Sequence, residues 1–140
     1  VFSSNNISAA ILDLSPVGKD LPLLLRSQIE SIEVPKFKEP RTLPDWGFIF
    51  SPYVCFVRPV NLNEEKSFLK LIDQYLSLLC SLVMIVKIDD INSLDMIDRL
   101  KYQKRYCFNQ KCNDKTRVIL SKYFGSSWAD EYIDKILFEC

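Results

Sequence analysis

Apolar residues recur along this chain with two periods, and the switches between them outline its elements. Ile7-Ser8-Ala9-Ala10-Ile11-Leu12-Asp13-Leu14 is a short, mostly apolar run bounded by Asn5-Asn6 and by Ser15-Pro16-Val17-Gly18, and it reads as a sheet strand. Asp20 to Ile32 sets Leu23, Leu24, Ile29 and Ile32 among charges, with Pro22 where a first helical turn accepts it, and so predicts an amphipathic surface helix. Glu33 to Trp46 holds Pro35, Pro40 and Pro44, too much proline for a helix or a central strand, which leaves a loop with an extended path. The β-branched and aromatic run Tyr53-Val54-Cys55-Phe56-Val57-Arg58-Pro59 predicts a second strand, ended by its proline.

Helical spacing dominates from there on. Asn61-Leu62-Asn63-Glu64 has the form of a helix start, and Phe68, Leu69, Ile72, Tyr75, Leu76, Leu79 and Val83 carry the helix to about Val86 as a core stripe. Its most apolar part, Tyr75 to Val86, is too short to span a bilayer and reads as a buried helix. After a turn at Asp89-Asp90, Ser93 opens a helix with Leu94, Ile97, Leu100 and Tyr106 inward. A shorter helix then runs to Phe124 with Val118, Ile119, Tyr123 and Phe124 as its buried stripe. Gly125 is its stop, Ser126-Ser127 the next cap, and Trp128, Tyr132, Ile133, Ile136 and Phe138 mark a final amphipathic helix. Two strands with four or five helices make an α/β chain whose sheet is too small to stand alone, which implies further strands. The stub Val1-Phe2 before the turn-like Ser3-Ser4-Asn5-Asn6 points the same way, to a preceding strand cut off and a chain that is a fragment.

Composition narrows the chemistry. With 140 residues, 48% of them apolar and 12% aromatic, the chain can build one core and is not disordered. Its formal charge is zero, so no global field draws it to nucleic acid or an anionic membrane, and charge must act locally. Nothing resembles a signal peptide, and no repeat or low-complexity segment occurs. Cys55, Cys80 and Cys107 sit in apolar or helical runs and read as small core residues of a reduced protein. Cys107 and Cys112 are five apart, unlike a zinc or redox pair, and the chain has no histidine, so a transition-metal centre has few ligands. Without histidine, a general acid must be a carboxyl, a tyrosine, a lysine or a water.

The densest chemistry lies in Asn113-Asp114-Lys115-Thr116-Arg117, where an amide, a carboxylate, an ammonium, a hydroxyl and a guanidinium fall within five residues. One reading is a helix start with Asn113 or Asp114 as N-cap. The other is a site where Asp114 gives or takes a proton while Lys115 and Arg117 hold anionic groups of a ligand. Cap and site are compatible. Around it, Arg99, Lys101, Lys104, Arg105, Lys111, Lys115, Arg117 and Lys122 face the single acid Asp114, which makes either a solvated helical face or a docking surface for an acidic partner or anionic ligand. Arg41, in the proline-rich loop near Lys36 and Lys38, is either a solvated charge or an anion ligand. Ser8 is the early polar side chain of the first strand.

Five ordered motifs carry a resemblance to a known family. Ile7 to Pro16, Arg41-Thr42-Leu43-Pro44-Asp45-Trp46-Gly47, Ile49-Phe50-Ser51 with Phe56-Val57-Arg58-Pro59, Asn113 to Arg117 with Phe124-Gly125 and Trp128-Ala129, and Ile136-Leu137-Phe138 resemble the ferredoxin-dependent bilin reductases, most of all their phycocyanobilin-forming branch. The resemblance implies an α/β/α sandwich with a central antiparallel sheet, residues 1–140 being its C-terminal portion with the N-terminal part of the sheet missing. It implies reduction of biliverdin IXα to a phycobilin, phycocyanobilin foremost, at CH–CH groups by sequential electron and proton transfers. No bound cofactor is implied; reduced ferredoxin is the electron donor, and the basic segment gives that acidic protein a docking surface. By motif, Asp114 becomes the proton donor with Asn113 beside it, Arg41 and Lys115 pair with the bilin propionates, and Ser8 and Gln110 hydrogen-bond them. A monomer in the cyanobacterial cytoplasm or plastid stroma follows, without nucleic-acid or membrane partners. The sequence departs from the family in two respects. The upstream carboxylate, histidine and glutamate of the pocket are not in this chain, so the fragment is expected to be inactive alone, and Phe48 stands where the family usually has an acid. A non-catalytic bilin or tetrapyrrole carrier is the alternative, and a helical adaptor docking acidic proteins through Arg99 to Lys122 a third.

Overall fold

A computed structural model of the chain describes residues 7–88 and 90–139. The Val1-Phe2 stub, the Ser3 to Asn6 turn, Asp89 of the next turn and Cys140 lie outside the described residues. In order come β1 (Ala10–Leu12), α1 (Leu23–Ile29), a 3-10 turn (Gly47–Ile49), β2 (Cys55–Val57), α2 (Leu62–Val83), α3 (Leu94–Lys111), α4 (Asp114–Phe124), α5 (Ser126–Tyr132) and a π-helical turn (Ile133–Leu137). The chain is therefore α/β, rich in helix, with a small antiparallel sheet. Two compact units divide these elements, β1 to α2 in the first and α3 to the π-helical turn in the second. Among the described residues no helix is long and apolar enough to cross a membrane.

In the first unit both strands are three residues long, shorter than their apolar runs. The register pairs Ala10 with Val57, Ile11 with Phe56 and Leu12 with Cys55, so Ala10, Leu12, Cys55 and Val57 turn to one face and Ile11 and Phe56 to the other. The proline-rich loop proves to be a sheet neighbour in its middle: Pro40 bridges Val57, Arg41 N–H donates to Phe56 O at 2.8 Å, and Arg58 N–H donates to Glu39 O at 2.9 Å. Proline is tolerated there because only the bonds on either side of it are needed. Gly47 is buried so close to Leu43 that an added Cβ would stand 2.8 Å from the Leu43 Cβ, and only glycine fits.

Helix boundaries follow local chemistry closely. Pro22 stands just before α1, as its N-cap rather than inside its first turn. At α2 the Asn61 side chain accepts from Glu64 N–H at 2.9 Å, while the Glu64 carboxylate accepts from Val60 N–H at 3.1 Å. The buried face of α2 is different from the predicted stripe. Phe68, Leu71, Tyr75 and Leu82 are buried, whereas Leu69, Leu76, Leu79 and Val83 are exposed, and Cys80 with them. Apolar residues cover more than half of this helix's circumference, so periodicity admitted two adjacent stripes and packing chose one. Tyr75 to Val86 is consequently not a buried helix: Tyr75 is 1% exposed and Val83 64%. The chosen stripe meets Leu25 and Ile29 of α1 and Cys55 and Val57 of β2 in one core. Phe37 from the proline-rich loop sets its ring edge-on to Phe68, with centroids 6.1 Å apart. The Tyr75 hydroxyl donates to Tyr53 O at 3.1 Å, satisfying its polar end and joining α2 to the approach to β2.

In the second unit Ser93 caps α3 as its spacing predicts, accepting from Met96 N–H at 3.2 Å. Leu94, Ile97 and Leu100 are exposed and Tyr106 half-buried; Cys107 is the buried residue of α3. Val118, Ile119, Tyr123 and Phe124 are likewise exposed on α4, which buries none of its residues fully. Gly125, at φ 88°, ends α4 as expected, its N–H donating to Ser121 O at 2.9 Å. It also begins α5, so Ser126 is already helical and does not cap. Across that joint Phe124 lies tilted against Trp128, which stacks on Tyr132, with successive centroids 4.6 and 4.7 Å apart, while Ala129 and Ile133 turn inward.

The two stripes of α2 can be told apart experimentally. Leu71→Ala is expected to lower the unfolding free energy by about 2–5 kcal/mol, against within about 0.5 kcal/mol for Leu69→Ala; equal losses in urea titrations followed by circular dichroism would contradict the packing. Alkaline pH gives a second test. Burial pushes the Cys55 thiol and the Tyr75 phenol above their ordinary values of 9.0 and 10.0. Above those values the unfolded chain releases protons that the folded chain retains, so stability falls as pH rises. Urea midpoints are expected to drop on passing about pH 9–10, and to drop less in Tyr75→Phe.

Candidate functional site

Helices α3 and α4 meet with almost no linker, and this junction carries the dense polar motif. Cys112 N–H donates to Asn109 O at 3.1 Å and Asn113 N–H to Gln110 O at 3.0 Å, closing α3; α4 starts at Asp114. Asn113 occupies the N-cap position without a side-chain capping bond. The capping role predicted for Asn113 or Asp114 is thus not used, and both side chains remain available: Asn113 half-buried, Asp114 exposed.

The cations around the junction separate into two kinds. Arg117 pairs with Asp130 of α5, and Lys111 reaches Asp134 of the π-helical turn at 3.4 Å. Arg117 is therefore a tie between α4 and α5, and the expectation that it holds a ligand anion is corrected. Lys115, exposed on the first turn of α4, has no acidic partner among the described residues. Gln110, one turn before the junction, uses its Nε2 to donate to the Tyr106 hydroxyl oxygen at 2.9 Å. Gln110, Asn113, Asp114 and Lys115 thus sit together within the second unit.

Ser8 and Arg41 belong to the first unit. Ser8 is exposed just before β1. Arg41 is held through its backbone to Phe56, so the register puts its side chain on the sheet face that carries Phe56 and Ile11. Arg41, exposed and without an acidic partner among the described residues, is among the residues that line a cleft of about 670 Å³ between the end of α1, the proline-rich loop and β2. Tyr53 and Phe56 line it as well, which gives an aromatic and apolar wall with a cation on it, in the size range of small-molecule sites. Glu30, also in the lining, accepts from the Tyr53 hydroxyl, and this bond holds the Tyr53 phenol above its ordinary range. Phe48 is exposed in the 3-10 turn. No group of three or more metal-ligating side chains occurs among the described residues.

The residue that sequence reasoning missed in this unit is Asp13. Its carboxylate accepts the Ser51 N–H at 3.1 and 3.2 Å, the Ser51 hydroxyl, and the Ser15 hydroxyl at 2.6 Å. A signal was present, since a carboxylate between two leucines at a strand end needs donors. Nothing local named Ser51 as the partner.

Comparison with known proteins identifies the class. A sequence model of the ferredoxin-dependent bilin reductase family matches residues 1–139, and the chain belongs to this family. It is 49% identical over 139 residues to the phycocyanobilin:ferredoxin oxidoreductase of Prochlorococcus marinus strain MIT 9303, covering 99% of this chain and 53% of that protein. Over 133 residues it is 50% identical to the protein of the same name from strain MIT 9313, covering 95% of this chain and 50% of the relative. A relative of that name from Trichodesmium erythraeum strain IMS101 is 38% identical over 141 residues, 99% of this chain and 57% of its own length. The chain spans about half the length of the curated relatives it matches.

The division of the cations gives a direct prediction. A double-mutant cycle of Arg117→Ala with Asp130→Ala is expected to show a coupling of about 0.2–1 kcal/mol, as for exposed pairs generally. Lys115→Ala with Asp130→Ala is expected to be additive. Urea denaturation of the four-member sets measures both, and a coupling at Lys115 instead would reverse the assignment.

Proposed function

We propose that these 140 residues are the C-terminal portion of a bilin reductase domain of α/β/α sandwich type, whose whole protein reduces biliverdin IXα to a phycobilin, phycocyanobilin foremost. The observation that carries the reading is the division of the cations at the α3–α4 junction. Two of them are committed to Asp130 and Asp134, while Lys115 and its neighbour Asp114 are uncommitted and belong to a chain of this family. Membership supports ferredoxin as the electron donor and a bilin as substrate; the names of the relatives support phycocyanobilin as product. On this reading the reductase is a monomer of the cyanobacterial cytoplasm or plastid stroma.

A bilin gains each hydrogen in two parts, an electron from reduced ferredoxin and a proton from a group beside the pyrrole system. Asp114 is the acid: its protonated carboxyl gives a proton to the reduced pigment, becomes a carboxylate and, being exposed, recovers a proton from solvent. Asn113 beside it offers an amide to a lactam. Arg41 and Lys115 are the propionate clamps, with Ser8 and Gln110 as polar neighbours, and they fix which bond of the tetrapyrrole meets the acid. Arg41 suits a bidentate contact and Lys115 a point contact. Exposed cations of α3 and α4 serve for ferredoxin encounter. Turnover belongs to the whole protein; the 140 residues alone bind pigment without reducing it.

Absorbance titration of biliverdin into the chain tests this. A saturable red shift is expected, weakened about tenfold or more by Arg41→Ala and by Lys115→Ala. In the full-length protein supplied with reduced ferredoxin under anoxia, Asp114→Asn is expected to keep the pigment spectrum and lose most of the reduction rate. Unchanged affinity in both clamp variants, or an unchanged rate in Asp114→Asn, would refute the respective role.

A further inference from the structure

Two apolar stripes run along α2, and the first unit uses one of them. On the other, Leu62, Leu69, Leu76 and Val83 follow one another at intervals of seven residues, each more than half exposed, with Leu79 beside them. Seven residues are nearly two turns, so these side chains form a narrow line that drifts slowly around the helix. The line lies apart from the buried face of Phe68, Leu71, Tyr75 and Leu82, and the exposed Lys66 and Asp73 border it on the side away from that core. An apolar seam of this period with a polar border is what a second helix covers, crossing at about 20° with its own side chains set between those of the first. Two observations choose the occupant. Stable interfaces between separate proteins use about 20–30 residues a side, and five side chains fall well short of that. A segment of the same polypeptide needs no more, because the linkage itself holds it at an effective concentration of the order of millimolar. The chain spans 53% and 50% of the two Prochlorococcus relatives, so each of those proteins has about as much chain again.

We infer that the seam of Leu62, Leu69, Leu76 and Val83 is a docking surface for an amphipathic helix from the upstream half of the same protein, one that presents apolar residues at the same seven-residue interval. This rests on the reading that the 140 residues are a C-terminal portion, and it extends that reading: the upstream half adds to the helical layer around α2 and not to the sheet alone. The stripe of α2 that the core leaves open is thereby as much a part of the whole fold as the stripe that the core uses.

Cys80, exposed and eighteen residues or five turns after Leu62, stands on the same line and reports on it. Alkylation by iodoacetamide, followed cysteine by cysteine with peptide mass spectrometry and referred to the rate in urea, compares the 140-residue chain with the full-length reductase. Cys80 is expected to react in the chain at close to its rate in urea, and at least about tenfold more slowly in the full-length protein, where the docked helix must open first. Leu69→Ala is expected to leave the urea midpoint of the chain in place and to lower that of the full-length protein. Photocrosslinkers placed at Leu69 and at Leu76 in turn are expected to capture upstream residues about seven positions apart, as between two helices of equal rise. Equal alkylation rates in the two proteins would overturn the proposal. So would protection of Cys80 already present in the chain: if it grows with concentration alongside a dimer in sedimentation, the occupant is a second copy, and if it does not, the seam is covered from within these residues. Captured positions about three apart would make the occupant a strand and overturn the helix. Biliverdin titration of the full-length protein separates the two levels. If it takes up and reduces the pigment while Cys80 stays reactive, the docking helix alone is refuted; if Cys80 is protected and no pigment spectrum forms, the bilin reading fails and the covered seam stands.

Discussion

The carboxylate of Asp13 is the constraint on which the first unit depends. It receives the backbone N–H and hydroxyl of Ser51 and the hydroxyl of Ser15, and so joins the end of β1 to the segment that leads into β2. Ser51 is one of the few buried polar side chains, and without Asp13 its donors would have no partner in an apolar setting. The consequence reaches beyond the contact. Fixing where β2 begins fixes its register on β1, the register sets Cys55 and Val57 toward α1 and α2, and the opposite edge of β2 then captures Glu39 to Arg41. A loop arginine is thereby mounted on a sheet rather than left to solvent. Its backbone position derives from a hydrogen-bond hub that touches it nowhere.

The second unit achieves position differently. Its helices bury little, α4 least of all, and they are held by the ring contacts of Phe124, Trp128 and Tyr132 and by acids of the C-terminal segment that meet Arg117 and Lys111. Exposed ion pairs contribute little to stability, of the order of 0–1 kcal/mol each. Their effect here is selective: they engage two cations of a crowded basic stretch and leave Lys115 without an acidic partner among the described residues. The near absence of a linker between α3 and α4 keeps Gln110, Asn113, Asp114 and Lys115 together, and an N-cap position that forgoes its side-chain bond leaves the Asn113 amide for other work.

What was legible, and what was not, divides along a physical line. The caps at Asn61 and Ser93 and the stop at Gly125 were readable because each is a contact between near neighbours in sequence. The motif at 113–117 was readable by its density, and the ordered motifs together pointed to the family that the match over residues 1–139 establishes. The buried face of α2 was not, because two apolar stripes lie side by side and either satisfies the helical period. Cys80, whose apolar run suggests a core residue, is exposed on the same helix. Arg117 was indistinguishable from Lys115 for an equivalent reason, since Asp130 lies thirteen residues away on another helix.

The sequence by itself determined, through its ordered motifs, the family; it also determined the α/β class, the order of the elements, most of their ends and the identity of the groups able to do chemistry. All but the family are consequences of composition, period and short-range hydrogen bonding, which act over a turn or two of chain. Only the tertiary structure decided which stripe of α2 faces the core, which strand edge receives Arg41, which cations are committed to Asp130 and Asp134, and that Asp13 and Ser51 meet across thirty-eight positions. Each of those choices depends on which neighbour arrives, and a local pattern specifies a surface to be covered without specifying what covers it.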